Sequence, residues 1–460
     1  MKRFTLLVVM AAVLISTTAA AGWIRTYGGE EADGGYCVQQ TSDGGYIVVG
    51  GTCSFGASES DLWLLKVDSL GDVLWTRTYG GKEDDDGEVV HQTPDGGYVV
   101  IGTTSSFGLE YFTPWVLKTD SLGDTVWTRT YDGDGFMGIW IEPTKEGAYI
   151  ITGRKDRDLW LLKIDSLGEI IWERTYDCED CYQASCVKQT SDDGYIITGA
   201  GGEGDLGLVK TDSLGDILWT SSYGGEGDGW GIYVEELDNG DYLVAGTTEI
   251  EGFDFCLWLV WADPMGYIYG DYPWEKICPA DGKPLHLTED GGYILLGNSE
   301  GGIGLIKTDN GMDAAWTRTY TVGGFDYTRW VRQTSDGGYI MTGSTYYPDT
   351  EDYDLWLIKT DSLGYVDAAI EEPVIETWGW KLVTSIGPQI VLRYTDQPQG
   401  FAASFAVFDV TGRKVDEVHA TGASGTITWP VTHHDFSPGV YFFRLEGGAA
   451  HETYKVVLVR

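Results

Sequence analysis

Short apolar runs bounded by turn residues recur along most of the chain, in the pattern of β-strands. One repeat begins with Asp-Gly-Gly-Tyr at 43–46 and continues into an apolar run that ends in Gly and Thr. A second run, Leu-Trp-Leu-Leu-Lys at 62–66, leads through a Ser-Leu-Gly-Asp turn to Trp-Thr-Arg-Thr-Tyr-Gly-Gly at 75–81. The anchoring tyrosine recurs at spacings of 46 to 52 residues: Tyr46, Tyr98, Tyr149, Tyr195, Tyr242, Tyr293 and Tyr339. A period of about 50 residues without a helical signal favours propeller blades over a helical solenoid.

Each repeat holds four strand candidates, named a to d in chain order. In the second repeat they are 89–93, 97–103, 115–120 and 125–131. The a–b and c–d links carry turn residues, with glycine at positions such as Gly96 and Gly123, where it adopts a left-handed conformation at little cost. Strands b and c are apolar on both faces, since Leu62 and Leu64 point one way and Trp63 the other. Burial on both faces is expected of a blade between two neighbouring blades.

The two ends of the repeat region are complementary. The seventh repeat has its third strand at 354–361, but the Trp-x-Arg-Thr-Tyr strand that should follow is missing. A spare copy, Trp-Ile-Arg-Thr-Tyr-Gly-Gly, stands at 23–29. We therefore expect the N-terminal strand to complete the last sheet. The predicted fold is all-β, with a seven-bladed β-propeller at 22–370 closed by the N-terminal strand.

Segments of different character flank the repeats. Residues 1–21 combine Lys2-Arg3, an apolar run and a small-residue end, which predicts a secretory signal peptide. A membrane anchor is the alternative, but the run is short for a span, and no transmembrane span is expected in the mature chain. Composition changes at 371, and alternating apolar positions in 371–460 predict a small Ig-like β-sandwich. Its strand candidates are 389–394, 403–410, 425–429, 440–446 and 454–459.

A tryptophan follows the c–d turn in five repeats: Trp75, Trp127, Trp172, Trp219 and Trp316. With this residue, the repeats resemble the tryptophan-docking blades of quinoprotein-like propellers. The whole motif, beginning with Asp-Gly-Gly-Tyr, is similar to that of a family of exported bacterial repeat proteins over residues 22–367. The resemblance implies a propeller rather than an activity, and we expect the tryptophans to pack between blades.

The end of the chain resembles a type A sorting domain of the type IX secretion system. The similar blocks are 407–415, 437–445 and 455–460, and the sorting motif residues are Gly412, Arg413, Pro438, Gly439 and Tyr441. The usual Asn-Pro-rich opening is replaced by Ser-Ile-Gly-Pro-Gln at 385–389. The resemblance implies contact with the secretion machinery, passage across the outer membrane, and a secreted or outer-surface location. A plain accessory Ig-like domain is the alternative.

The net charge of the chain limits the classes of partner that it is expected to bind. Its formal net charge of −41 repels phosphates and anionic membranes, so nucleic-acid binding is set aside. Such an acidic surface favours solubility, cations or basic partners. The lysines of strand c are expected to pair with aspartates such as Asp68 and Asp120 rather than to bind anions: Lys66, Lys118, Lys163, Lys210, Lys307 and Lys359.

Residues that could support catalysis or bind a metal are sparse in the repeats. Only His91 and His286 of the six histidines lie there, and the motifs of zinc proteases, serine hydrolases and P-loop proteins are absent from the sequence. No cofactor is expected, with calcium as the open alternative. Weak calcium candidates lie in the acidic d–a loops: Asp84, Asp86, Asp134 and Asp228. No loop completes a calcium-binding pattern with a downstream glutamate, so solvated turns are favoured.

These features predict an exported, non-catalytic binding or scaffold propeller. The d–a loops and the variable b–c loops, such as 54–60 and 346–352, emerge on one face of the ring, which is the candidate binding face. The expected partner is an extracellular glycan or protein. An enzyme on the same ring is the alternative. A carbohydrate-active enzyme would need two acids that break the repeat at the centre, and a quinoprotein-like enzyme would be expected to have adjacent cysteines, which the sequence lacks.

Overall fold

The computed structural model describes residues 22–56, 59–107, 112–132, 140–156, 158–177, 183–201, 205–224, 229–250, 253–274, 283–299, 302–366, 380–384, 386–387, 390–394, 402–409, 413–421, 425–429, 439–446 and 453–458. Within these ranges the chain is all-β, without an α-helix. The described residues include no helix with the length and apolar character that a membrane crossing needs. The predicted signal peptide at 1–21 lies outside them.

Seven four-stranded antiparallel sheets correspond to the seven repeats. Strand β1 (Trp23–Tyr27) belongs to the last of them. Sheets one to three contain β2 (Asp33–Gln40), β3 (Tyr46–Thr52), β4 (Asp61–Val67), β5 (Val73–Tyr79); β6 (Asp85–Gln92), β7 (Tyr98–Thr104), β8 (Thr113–Thr119), β9 (Thr125–Thr130); and β10 (Trp140–Pro143), β11 (Tyr149–Lys155), β12 (Asp158–Ile164), β13 (Ile170–Tyr176). Sheets four and five contain β14 (Gln183–Gln189), β15 (Tyr195–Ala200), β16 (Leu206–Thr211), β17 (Ile217–Tyr223); and β18 (Gly231–Glu236), β19 (Tyr242–Ile250), β20 (Phe253–Ala262), β21 (Ile268–Trp274). Sheets six and seven contain β22 (Leu285–Leu287), β23 (Tyr293–Ser299), β24 (Gly302–Thr308), β25 (Ala314–Tyr320); and β26 (Phe325–Gln333), β27 (Tyr339–Tyr347), β28 (Asp352–Thr360) with β1.

The predicted strands of the second repeat agree closely with β7, β8 and β9, whereas strand a begins earlier than predicted. β6 starts at Asp85 rather than at 89. A bulge between Gly87 and Val89 shifts the register and allows Asp85 to pair with Thr104. The acidic start of this strand therefore continues the ladder, because a bulge accommodates the extra residue.

The sheets pack against one another as the blades of a β-propeller do. Consecutive sheets are in contact, and β2 of the first sheet also contacts β26, β27 and β28 of the seventh. A single apolar cluster runs from Trp23 to Leu357 and includes residues of all seven sheets. Strands b and c are buried on both faces, as β3 and β4 show throughout their lengths. This is the burial that the double-sided apolar pattern predicts.

Strand d of one sheet docks onto the next sheet through a tryptophan and a tyrosine. The Trp75 ring lies 5.8 Å from the Tyr98 ring, edge to face. The Tyr79 hydroxyl donates to the carbonyl oxygen of Gly123. Gly123 has a φ of +83°, and a Cβ there would lie 3.0 Å from Cζ3 of Trp75. Glycine is therefore required both by the turn and by the docked ring.

The N-terminal strand makes the same docking contacts from the seventh sheet to the first. β1 pairs antiparallel with β28, with Trp23 opposite Lys359 and Tyr27 opposite Leu355. The Trp23 ring lies 5.9 Å from that of Tyr46, and its Nε1 donates to the Ser69 carbonyl at 3.0 Å. The Tyr27 hydroxyl donates to the Gly71 carbonyl at 2.7 Å. The strand pairing expected from the spare motif is thus present.

The strand-c lysines that were expected to pair with aspartates such as Asp68 pair instead with an acid of the a–b turn, which is Glu146 for Lys163 and an aspartate for the others. Lys66 Nζ lies 3.0 Å from Asp43 Oδ2, in the a–b turn, and Lys118 pairs likewise with Asp95 at 3.0 Å. Asp68 is occupied otherwise, because its Oδ1 accepts from the backbone N–H groups that close the c–d turn. Short aspartate side chains commonly accept hydrogen bonds from the backbone of their own turn, so the Asp68 carboxylate is used locally and does not pair with Lys66.

The C-terminal strands form two further sheets. A three-stranded sheet contains β29 (Trp380–Thr384), β31 (Ile390–Tyr394) and β34 (Gly425–Trp429), and a five-stranded sheet contains β30 (Ile386–Gly387), β36 (Thr453–Leu458), β35 (Gly439–Glu446), β32 (Ala402–Asp409) and β33 (Lys414–Thr421). The two sheets meet at Trp429, whose ring lies 4.9 Å from that of Tyr441. The Trp429 Nε1 donates to Asp416 Oδ2 at 2.7 Å. β33 was not predicted, because its polar sequence lacks an apolar run.

Substitution Trp23→Ala should lower the free energy of unfolding of the mature chain by about 3 kcal/mol, since a buried indole loses its packing and its hydrogen bond. Urea unfolding followed by tryptophan fluorescence measures this. Tyr267→Ala is the matched control, because Tyr267 is 70% exposed in the c–d turn of the fifth sheet. Its effect should stay within about 0.5 kcal/mol. Equal effects of both substitutions would contradict a stabilising role for the N-terminal strand.

Candidate ligand-binding site

A cavity of about 570 Å³ opens between the first, sixth and seventh sheets. It lies where strands a and c begin and strand b ends, which is the end from which the d–a and b–c loops emerge. Its lining includes Asp33, Gly34, Tyr36 and Gly51 from the first sheet, Asn298 from the sixth, and Tyr327, Arg329, Ser344 and Tyr353 from the seventh. The face singled out from the sequence therefore carries a cavity within the volume range of small-molecule sites, about 300–1,000 Å³.

The seventh sheet extends beyond its neighbours beside this cavity. β26, β27 and β28 have nine residues each, against seven in β3 and β4 of the first sheet and seven in β23 and β24 of the sixth. The segment 346–352, predicted as a loop, contributes the ends of two strands and a turn at 348–351. Tyr346 stands opposite Tyr353 in the extended ladder. Such cross-strand aromatic pairs stabilise a hairpin that would otherwise be exposed.

Four aromatic side chains, which we call the aromatic strip, lie together on the extended part of the seventh sheet: Phe325, Tyr327, Tyr346 and Tyr353. The Tyr327 and Tyr353 rings are 6.2 Å apart, and the Tyr346 and Tyr353 rings 4.8 Å apart. The Phe325 ring stacks on that of Tyr346 at 6.4 Å. Phe325, Tyr327 and Tyr353 are 63%, 45% and 37% exposed, so their faces are available to a ligand.

Polar groups complete the wall of the cavity. The Arg329 guanidinium lies 5.0 Å from the centre of the Tyr36 ring, a cation–π contact. The Asn298 side-chain oxygen accepts from the Thr328 N–H at 3.2 Å, which leaves its amide N–H groups as potential donors. Gly34 keeps the wall open, because a Cβ there would lie 2.9 Å from Cε1 of Tyr36.

Asp33 is a buried acid at the edge of the cavity. Burial raises the pKa of its carboxyl to about 6, against hydrogen bonds from Thr52, Ser54 and Gly29 that lower it. The Gly29 N–H and the Ser54 hydroxyl both donate to Oδ2 at 2.7 Å. Asp85 accepts equivalent bonds from Gly81 and Ser106 in the second sheet. The repeated arrangement identifies this acid first as the residue that fixes the d–a loop.

The calcium candidates do not form a ligand set in the described residues. Asp86 accepts from the Ser60 hydroxyl at 2.9 Å, and its pKa is raised by burial and by the neighbouring negative charges of Asp84 and Asp85. Asp134 and Asp228 lie outside the described residues. Within the described ranges there is no group of three His, Cys, Asp or Glu side chains that could hold a metal ion.

The docking tryptophans singled out from the sequence lie away from the cavity. Trp75, Trp127, Trp172, Trp219 and Trp316 are partly buried against the core near the c–d turns, at the opposite end of the strands. Of the sorting-motif residues, Arg413 pairs with Asp409 at 3.0 Å, Tyr441 packs against Trp429, and Gly439 begins β35. Gly412 and Pro438 lie outside the described residues.

One ring of polar residues on the a strands was missed from the sequence. The residue that pairs with the position after the anchoring tyrosine is polar in every repeat, and its type changes from each repeat to the next: Gln39, His91, Glu142, Lys188, Glu235, His286 and Arg332. The sequence signal was a single position of strand a at which the residue type changes from each repeat to the next. Two of these residues are acids that break the repeat, the feature expected of a carbohydrate-active centre.

Several of these polar residues are paired in the interior. Lys188 Nζ lies 2.8 Å and His91 Nε2 3.8 Å from the Glu142 carboxylate. Burial alone would raise the pKa of Glu142, but nearby basic groups, Lys188 foremost, bring it to about 2. Glu235 accepts from the hydroxyl of Tyr233. Glu142 is therefore ionised at neutral pH and is a poor proton donor.

Comparison with known proteins yields similarity in structure alone. No protein-family model and no curated protein matches this sequence. Similar solved structures include BBS1N in complex with ARL6DN, at 9% identity, covering 75% of this chain and 98% of that chain with a TM-score of 0.47. They also include a Lactobacillus plantarum protein, at 9% identity, 70% and 97% coverage and a TM-score of 0.46. The Dos1 propeller has 10% identity, 74% and 96% coverage and a TM-score of 0.43. At these TM-scores the similarities support no inference about function.

Asp33→Asn should remove a pH dependence of stability. The pKa of Asp33 is about 6 in the folded chain, above the unfolded value of about 3.9. Its contribution is therefore fully present below about pH 3.9 and is lost as the pH rises through about 6. Relative to wild type, the Asn variant should gain stability between about pH 4.5 and about pH 7.5 in urea unfolding.

Asp95→Asn is the control for this titration. The hydrogen bond from Thr93, opposed by partial burial and aided by Lys118, lowers the pKa of Asp95 to about 2. This group does not titrate in the tested window, so its effect on stability should be the same at both pH values. Parallel behaviour of the two variants would contradict the raised pKa of Asp33.

Proposed function

We propose that the chain is an exported, closed seven-bladed propeller that binds an extracellular ligand in the cavity on its d–a and b–c loop face. The observation that carries the proposal is the extended seventh sheet, whose exposed aromatic side chains form a wall of the cavity. A ring with only a structural role would have no use for exposed aromatic side chains beside a cavity. The proposed activity is binding rather than catalysis.

Closure is supported by contacts that join the seventh sheet to the first in the same way as other neighbours. The Ser42 N–H donates to Gln92 Oε1 at 2.8 Å, and the Ser335 N–H donates to Gln40 Oε1 at 2.8 Å. The first contact joins sheets one and two, and the second joins sheets seven and one. A closed ring makes this contact without a break, whereas an open spiral would separate the last pair.

The packing at the centre also supports a ring. Trp140 belongs to the third sheet and Trp330 to the seventh, yet their rings stack with centroids 5.1 Å apart. Trp140 also lies 6.0 Å from Tyr233 of the fifth sheet. Sheets that are remote along the chain meet in this way when their first strands surround a common axis.

Export and sorting complete the proposal. The support comes from the basic and apolar N-terminal segment and from the resemblance of the last blocks to a type A sorting domain. In this proposal, residues 371–460 form the Ig-like module that engages the secretion machinery, and the propeller is displayed on the cell surface or released. The acidic surface suits such a location because it keeps a secreted protein soluble.

A glycan-cleaving enzyme is the second candidate, and one observation favours it. The pKa of Asp33, raised to about 6 mainly by burial, lies in the range useful to a general acid, and this residue lines the cavity. The equivalent loop-closing role of Asp85 weighs against catalysis. Release of reducing sugar by the wild type, lost in Asp33→Asn, would favour the enzyme over the binding protein.

Filling the cavity should abolish binding. The mature chain 22–460 is screened on arrays of oligosaccharides and peptides, and the affinity for each bound probe is measured by calorimetry. Ser344→Trp should weaken binding at least tenfold, because an indole would occupy the space beside Tyr327 and Tyr353. Ser121→Trp is the matched control on an exposed turn at the opposite end of the strands, and it should retain full affinity.

The same screen and the same variant also give the result that would contradict the proposal. Probes whose affinity is unchanged by Ser344→Trp bind elsewhere, and a screen that yields only such probes, or none, would remove the cavity as the binding site. Thermal unfolding of both tryptophan variants checks that the fold is retained.

A further inference from the structure

We infer that the cavity takes a neutral saccharide, with a pyranose ring resting on Tyr327 and Tyr353. The inference rests on the proposed function, since it names the ligand class of the same cavity. It is carried by three observations: the exposed faces of the aromatic strip, the hydrogen-bonding groups beside them, and the balance of charge in the wall.

The aromatic strip offers flat apolar faces to solvent at the mouth of a polar cavity. Tyr327 and Tyr353 both line the cavity, and their rings are 6.2 Å apart at an angle of 41°. Their exposure leaves part of each ring uncovered in the free protein. The C–H face of a pyranose ring is apolar and flat enough to cover such a ring, and its burial there is favourable.

The hydroxyl groups of a sugar require donors and acceptors around that platform. The Asn298 amide supplies N–H donors, since its oxygen already accepts from Thr328. The Ser344 hydroxyl lines the same cavity and can both donate and accept. The Arg329 guanidinium lies over Tyr36 in the same wall. A small number of polar groups around an apolar platform fixes the orientation of a ligand.

Charge selects a neutral ligand over an anion or a cation. The wall of the cavity includes both the Asp33 carboxyl and the Arg329 guanidinium, and the chain as a whole has a formal net charge of −41. An acidic saccharide would be repelled by this field, in spite of Arg329. A cationic ligand in an aromatic cage would meet the guanidinium of Arg329 at close range. A neutral saccharide avoids both penalties.

The strip continues beyond the cavity and provides room for more than one sugar unit. From Tyr353 the rings proceed to Tyr346 at 4.8 Å and then to Phe325 at 6.4 Å. Phe325 is 63% exposed, although it is a large apolar side chain. An oligosaccharide can therefore place one unit in the cavity and cover the outer rings with the next. We accordingly expect affinity to rise with chain length.

The experiment measures binding of neutral oligosaccharides of increasing length to the mature chain 22–460, with oligogalacturonate and tyrosine-rich peptides as competing classes. Calorimetry is performed on wild type and on Tyr353→Ala, Tyr353→Phe and Tyr327→Ala. The alanine variants should lose about tenfold in affinity for the neutral saccharide, whereas Tyr353→Phe should retain most of it, because the ring face is kept. Tyr267→Ala removes an exposed tyrosine that is distant from the cavity, and this variant should bind as wild type does.

The outcomes separate this inference from the proposed function. Binding of an acidic saccharide or a peptide that is abolished by Ser344→Trp would overturn the neutral saccharide and leave the cavity as the binding site. Neutral saccharide binding that is equal in Tyr353→Ala and wild type would overturn the platform. The absence of any ligand sensitive to Ser344→Trp would overturn both. Near-ultraviolet circular dichroism confirms that each variant is folded.

Discussion

The architecture depends on the docking of strand d of one sheet onto the c–d turn of the next, a contact made by every sheet except the fifth, which has Gly270 at the tryptophan position. A tryptophan ring lies against the anchoring tyrosine and over a glycine that has no Cβ, while a tyrosine hydroxyl satisfies the carbonyl of that glycine. The contact combines apolar burial with a directional hydrogen bond, so it fixes both the distance and the angle between neighbouring sheets. The repeated motif Trp-x-Arg-Thr-Tyr supplies the tryptophan and the tyrosine of this contact. Trp23 and Tyr27 supply the contact where the seventh repeat lacks it.

Sequence reasoning was most successful where physical constraints repeat. Strands b and c must be apolar on both faces and their turns must contain glycine, so every repeat predicts the same four strands. The pairing of 23–27 with the last repeat follows from the strand that this repeat lacks. It was weakest where a local interaction competes with a long-range one. Lys66 was assigned to Asp68, although the carboxylate of Asp68 is used by its own turn and Asp43 is the partner.

The candidate site was predicted only as a face. The extended hairpin of the seventh sheet was interpreted as a loop, because Tyr346-Tyr347-Pro348-Asp349 has turn residues and no apolar run. The pairing of Tyr346 with Tyr353 depends on register, which a single sequence does not specify strongly at an exposed edge. The polar ring that includes His91 and Glu142 was missed for the opposite reason. A strand position that changes in every repeat carries no repeat signal, although this variation is what distinguishes one sheet from another.

The mixed origin of the seventh sheet has a consequence for the order of folding. During synthesis, Trp23–Tyr27 leaves the ribosome before the other described propeller strands, yet its partner β28 is the last of them to appear. Six sheets can assemble from neighbouring segments, whereas the final one requires ends separated by more than three hundred residues. The entropy of closing such a loop grows only with the logarithm of its length, so the step is slow rather than prohibitive. Until it occurs, β28 has an unpaired edge, and another copy of the same chain could pair with that edge.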